Sequence, residues 1–101
     1  MAVNTYIEGS LVRTEAAFTS SGVAVDPDSV MFSLRLPSGV TTTAMYGSAA
    51  AVVKASTGNY RYDVDCRSTV GYFYYRWEGW GTWQAATEGQ FRIEDSQVFP
   101  G

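Results

Sequence analysis

The chain is 101 residues long, 46% hydrophobic and 17% charged, with a net charge of -3 and no histidine. That length suits one domain, able to bury roughly 60 to 70% of its unfolded surface, and the overall composition suits a compact fold and is not that of a disordered segment. Its seven basic residues are spread singly from Arg13 to Arg92, so no positive stripe exists to displace counterions from phosphates and direct nucleic-acid binding is not expected.

A single domain is expected over residues 1–101, with its core at about 9–95. No run of about 18 apolar residues occurs, and the opening MAVNTYIEGS has neither the basic start nor the apolar core of a secretory signal. No membrane role is therefore expected. Cys66 is the one cysteine, so no intramolecular disulfide can form, which is compatible with a reducing cytoplasm. With no histidine to activate it, Cys66 reads as a small buried apolar residue.

In chain order, short strands are separated by turn signals about every 8 to 12 residues, the spacing of a sandwich or barrel. The first strand is expected over Ser10 to Thr19, ending at Ser20-Ser21-Gly22, with pairing continued by Val23 to Val25 until Asp26-Pro27-Asp28 interrupts it. Val30 to Leu36 follows, with Val30, Phe32, Leu34 and Leu36 on one face and Met31, Ser33 and Arg35 on the other. Pro37-Ser38-Gly39 is the hairpin turn into Val40 to Tyr46, whose threonines suit a pleated surface. Gly47 to Ala51 reads as a loop or sheet-changing crossover, and Ala49 to Ala51 is the one place where a helical turn can nucleate.

Val52 and Val53 open the next strand and Ser56-Thr57-Gly58 turns it. Tyr60, Tyr62, Val64 and Cys66 then alternate with Arg61, Asp63 and Asp65, the first set facing the core. The aromatic strand runs from Gly71 to Glu78, and the last strand from Gly89 to Glu94 has Phe91 and Ile93 inward. Between them Trp80 to Ala86 forms a hairpin excursion or a bulged strand. The tail from Asp95 to Gly101 has no alternation and is expected either to be loose or to clasp a neighbour. Phe32, Leu34, Leu36, Tyr60, Tyr62, Phe73, Tyr75, Trp77, Phe91 and Ile93 are expected to be buried between two antiparallel sheets.

The stretch Gly71 to Trp83, GYFYYRWEGWGTW, is the candidate binding region. Period-2 alternation puts Phe73, Tyr75 and Trp77 on one face and Tyr72, Tyr74, Arg76 and Glu78 on the other. That outer face is too aromatic for a plain solvent coat, although Tyr72 and Tyr74 also suit ordinary cross-strand pairing. Trp80 and Trp83 stand on glycine-rich backbone that reads as a turn or bulge, where each either folds back over the end of the sandwich or anchors a partner. The partner-binding candidates are Tyr72, Tyr74, Arg76, Trp80 and Trp83.

Catalysis is not expected, because general base and metal chemistry would fall to carboxylates alone. Asp63 and Asp65 point to one face at about 7 Å and suit calcium only if a loop supplies carbonyl oxygens. Asp26 and Asp28 flank a proline, where aspartate is an ordinary turn residue. Solvated strand and turn charges are the expected reading of both pairs, with no metal and no cofactor.

The succession GSLVRTEAAFTSSGVAVDPDSVMFSLRLPSG, TGNYRYDVD, VGYFYYRWEG and AATEGQFRIED resembles the small immunoglobulin-like proteins of tailed-phage structural gene clusters. The resemblance covers about Gly9 to Asp95 and implies an immunoglobulin-like antiparallel β-sandwich of about seven strands without a disulfide. Phe73 stands where a corner tyrosine would sit and Tyr75 where the antibody-type cysteine would. It further implies a non-catalytic virion component at the head-to-tail junction (neck, collar or adaptor) or decorating the capsid. Its expected partners are portal, adaptor, capsid or tail proteins and further copies of itself, and its expected location is the virion, with the host bacterial cytoplasm during assembly. The alternative is a carbohydrate-binding module, in which Trp80, Trp83 and Tyr74 stack on sugar rings while Arg76 and Glu78 bond hydroxyls.

Overall fold

Alternating apolar and polar side chains carry most of the chain into extended structure. A computed structural model describes residues 4–48, 51–66, 69–96 and 98, and every regular element among them is a strand. These are β1 (Asn4–Ile7), β2 (Leu11–Ala17), β3 (Thr19–Ser20), β4 (Val23–Ala24), β5 (Ser29–Arg35), β6 (Thr41–Met45), β7 (Val52–Ser56), β8 (Asn59–Asp65), β9 (Gly71–Trp80) and β10 (Ala85–Glu94). The larger sheet has the order β1-β10-β9-β5-β6, the smaller β2-β8-β7, and β3 pairs with β4 in a ribbon. The expected helical turn at Ala49 to Ala51 lies outside the described residues at Ala49 and Ala50, as does most of the tail.

The all-β class stands, with a higher strand count than the expected seven or so: ten strand segments are present among the described residues. Two differences account for it. A break at buried Phe18 separates β2 from the β3–β4 ribbon, whose turn has positive φ at both Ser21 and Gly22, the requirement of a tight hairpin that follows sheet twist. The other is β1, which no alternation announced. It lies parallel to β10, with Asn4 opposite Phe91 and Ile7 opposite Glu94, so the larger sheet is not wholly antiparallel.

The core lies where the two sheets face each other. Val12, Ala16, Val52, Tyr60 and Val64 from the smaller sheet meet Val30, Phe32, Phe73, Trp77, Phe91 and Ile93 from the larger. Phe32 of β5 stacks on Tyr62 of β8 with ring centroids 4.3 Å apart, and Phe73 stacks on Phe91 at 4.9 Å. Each such side chain contributes about 1.5 to 3 kcal/mol on burial. Leu36, Tyr62 and Tyr75 are only half-buried, against expectation. The smaller sheet is too narrow to cover the whole inner face of the larger one, and a tyrosine at that rim keeps its hydroxyl wet. Cys66 is fully buried, and burial pushes its thiol up to about 11.

Asp26 ties the approach to β5 onto the β7–β8 hairpin. Its Oδ1 accepts from the Gly58 N–H at 2.7 Å and the Tyr60 hydroxyl at 3.1 Å, while Oδ2 accepts from Lys54 Nζ at 2.7 Å. The Lys54 bond, then the Gly58 N–H, holds the Asp26 carboxyl below its ordinary value of 3.8. A depressed folded value means that the stabilisation is present above the unfolded value and is lost as pH falls through the folded one. Asp26→Asn is therefore expected to melt below the parent at neutral pH, with the gap closing as pH falls below 3.8. Melting both proteins across pH checks this; a gap of constant size would show that the carboxylate charge is not its source.

Candidate functional site

β9 is the second strand in from the β1 edge of the larger sheet and supplies most of the candidate residues. It begins at Gly71, whose φ of +126° lets the chain turn into the strand. Phe73, Trp77 and Gly79 are buried, while Tyr72, Tyr74 and Trp80 are exposed. The strand extends two residues past the expected Glu78, so Trp80 belongs to it, opposite Ser29, and not to a glycine-rich turn. Gly79 is instead a place of close approach. A Cβ there would stand 2.5 Å from Pro27 Cγ and 2.8 Å from Phe18 Cε1, so glycine lets the end of the sandwich close without breaking the strand. The partner strand likewise begins at Ala85 and not Gly89: of the expected hairpin excursion or bulged strand over Trp80 to Ala86, a hairpin is formed, with an unbroken ladder from Ala85 opposite Gly79 and its turn confined to Gly81 to Gln84.

Register turns these strands into rows across the outer face. Arg92 lies opposite Tyr72; Gln90, Tyr74, Arg35 and Thr41 form the next row; Glu88, Arg76, Ser33 and Thr43 the one after. Ala86, Glu78, Met31 and Met45 follow, and Trp80 with Ser29 closes the series. Aromatic side chains thus stand at both ends of β9, with Tyr74 and Trp80 about 20 Å apart at about 3.3 Å per residue. Arg76 occupies the middle. Its Nε donates to Glu78 Oε1 at 2.8 Å and Nη1 to Glu88 Oε2 at 3.0 Å, and these two bonds raise its pKa. The Arg92 guanidinium lies 6.0 Å from the Tyr72 ring centre, at the outer limit of a cation–π contact.

Two shallow depressions share Arg76. One, of about 680 Å³, includes Ser33, Arg35, Thr41, Tyr72, Tyr74 and Arg76 in its lining. The other, of about 570 Å³, includes Arg76, Glu78, Trp80, Gln84 and Ala86. Tyr72, Tyr74, Arg76 and Trp80 are thereby brought onto one surface. Trp83 is not among them: it lies in the turn between β9 and β10, exposed, and lines neither depression. That turn is fastened by Asp28, whose Oδ2 accepts from the Thr82 N–H at 3.0 Å.

Arg35 and Glu88 joined the surface without having been singled out. Arg35 was already on the outer set of its strand, and counting back by twos from Phe91 and Ile93 places Glu88 outward once the strand is extended to Ala85. Among the carboxylates weighed for metal, Asp63 accepts from Arg13 Nε at 2.8 Å and Nη2 at 3.2 Å, and Asp26 and Asp28 are engaged as described. No group of three or more metal-ligating side chains occurs among the described residues.

Compared with known proteins, the chain matches no protein-family model, and no curated protein matches it in sequence.

Proposed function

We propose that this protein is a non-catalytic virion component of a tailed phage, acting by protein contact at the head-to-tail junction or on the capsid surface. The observation that carries the contact reading is the outer face of the larger sheet, where Tyr72, Tyr74 and Trp80 are 37 to 47% exposed along one strand around Arg76. These are the residue types that dominate interface energy. The phage assignment itself rests on the sequence resemblance from about Gly9 to Asp95. The strand order bears on the fold part of that resemblance alone: β10-β9-β5-β6 with β1 beside β10 in one sheet, and β2-β8-β7 in the other, is compatible with a variable-type immunoglobulin sandwich.

Trp80→Ala is expected to weaken attachment to particles by about thirtyfold, the loss of about 2 kcal/mol typical of an interface anchor. Stability is expected to change less, because Trp80 is exposed. Trp83→Ala, off the common surface, is expected to have the smaller effect. Circular dichroism followed by incorporation into particles checks both, and a ring at the neck or a lattice on the head distinguishes the two positions. Assembly like the parent by both variants would sink the aromatic contact.

Sugar binding is the second reading, favoured by the depression in which Tyr72 and Tyr74 stand beside Ser33, Arg35 and Thr41. Planar rings flanked by hydroxyl and guanidinium groups suit a pyranose. Oligosaccharide binding that is lost in Tyr74→Ala would favour it over the virion role.

A further inference from the structure

We infer that β6 is a dimerisation edge, on which a second copy of this chain pairs its own β6 antiparallel about a two-fold axis. The edges of the sheets are unequally protected against strand addition. β1 is only four residues long; β2 exposes Arg13 and Glu15; β7 carries Lys54 and a register shift between Lys54 and Ser56; the stretch of β10 beyond β1 carries Glu88. Short length, charge and bulges are the devices that keep edges apart. β6, Thr-Thr-Thr-Ala-Met, is the outermost strand on its side and has no charge, proline or bulge.

The hydrogen-bond phase of β6 sets the register in which a second copy pairs, and the residues that this register opposes are complementary to themselves. Leu36 N–H donates to the Val40 carbonyl at 2.8 Å and Tyr46 N–H to the Val30 carbonyl at 3.0 Å, so even-numbered residues turn their backbone groups towards β5. By alternation Thr41, Thr43 and Met45 turn theirs outward. A two-fold axis at Thr43 then pairs Thr43 with Thr43 of the second copy and Thr41 with Met45, satisfying the outward groups of all three residues on each chain. Thr42 meets Ala44, and no like charges are opposed. The same register sets Val40 against Tyr46 just outside the strand, and these are large hydrophobic side chains left 55% and 46% exposed in the single copy. The paired larger sheets become one continuous sheet, carrying both aromatic outer faces on the same side, which would double the contacts of each particle attachment. The pairing depends only on the β6 edge and stands apart from what the outer face binds.

Sedimentation up to about 1 mM, the weakest affinity still readily populated, tests it, together with amide exchange. The parent is expected to dimerise with concentration, and the amides of Thr41, Thr43 and Met45 to gain protection as it does, while those of Thr42 and Ala44 are protected throughout. Thr43→Lys opposes two like charges, and Thr43→Pro removes an outward donor that β5 does not use. Each is expected to weaken the dimer about tenfold or more, whereas Ala55→Lys on the β7 edge leaves it intact. Should the proline variant not fold, the lysine variant decides. A parent that stays monomeric, a dimer that survives at Thr43, equal loss in Ala55→Lys, or dimerisation without protection at the odd-numbered amides would each overturn the inference.

Discussion

Trp77→Ala is expected to destabilise the domain by about 3 to 5 kcal/mol, a large share of the 5 to 15 kcal/mol typical of a native domain. Trp77 is wholly buried and tilted against Phe32, with ring centroids 4.8 Å apart. It stands on β9, between β10 and β5, so little can collapse into the space it leaves. Its indole Nε1–H has no hydrogen-bond partner among the described residues, and an unpaired buried donor costs about 1 to 3 kcal/mol. Trp77→Phe removes that donor while keeping most of the ring contact, and is expected to cost much less than the alanine change. Urea unfolding of the three proteins checks the order. A cost below about 1 kcal/mol for the alanine variant would contradict a core built around this side chain.

Gly58→Ala is expected to cost about 2 to 5 kcal/mol from two sources. Its φ of +76° lies in the left-handed region, worth roughly 1 to 2 kcal/mol for a residue with a Cβ. That Cβ would also stand 2.6 Å from the Phe18 carbonyl oxygen and 3.0 Å from that of Val25, adding about 1 to 3 kcal/mol of overpacking. The clash falls on a joint: the Gly58 carbonyl accepts from the Phe18 N–H at 2.8 Å, and its own N–H donates to Asp26. Gly22→Ala supplies the comparison, since Gly22 has a φ of +81° with nothing within 4 Å of the added Cβ. It should bear the backbone cost alone. Thermal melts of both variants separate the two sources, and equal losses would mean that the close approach at Gly58 has no energetic consequence.

The expectations that held were those resting on period-2 alternation and local turn chemistry. Phe32, Leu34, Tyr60, Phe73, Trp77, Phe91 and Ile93 are buried as their spacing required, because successive side chains of a strand must face opposite ways whatever the strand packs against. The Ser21-Gly22 and Gly39 turns are equally local, since a positive φ is a property of the residue that adopts it. For the same reason Tyr72, Tyr74 and Arg76 could be put on one face before any partner strand was known.

What alternation alone could not supply is how far each strand runs and what lies beside it. Gly79 reads as a breaker in a sequence, yet Pro27 and Phe18 close over it and the strand continues to Trp80. That extension moves Trp80 onto the outer face and leaves Trp83 off it. β1 acquires its structure from β10, across most of the chain, and carries no signal of its own. The smaller sheet decides that Tyr75 and Tyr62 stay half-exposed. Composition and order along the chain thus determined the class of fold and the faces taken by the side chains within the strands that alternation marks. Strand length, sheet width, the free edge at β6 and the membership of the contact surface were decided by non-local pairing, because ladder bonds and close approaches join residues whose separation in sequence carries no periodic trace.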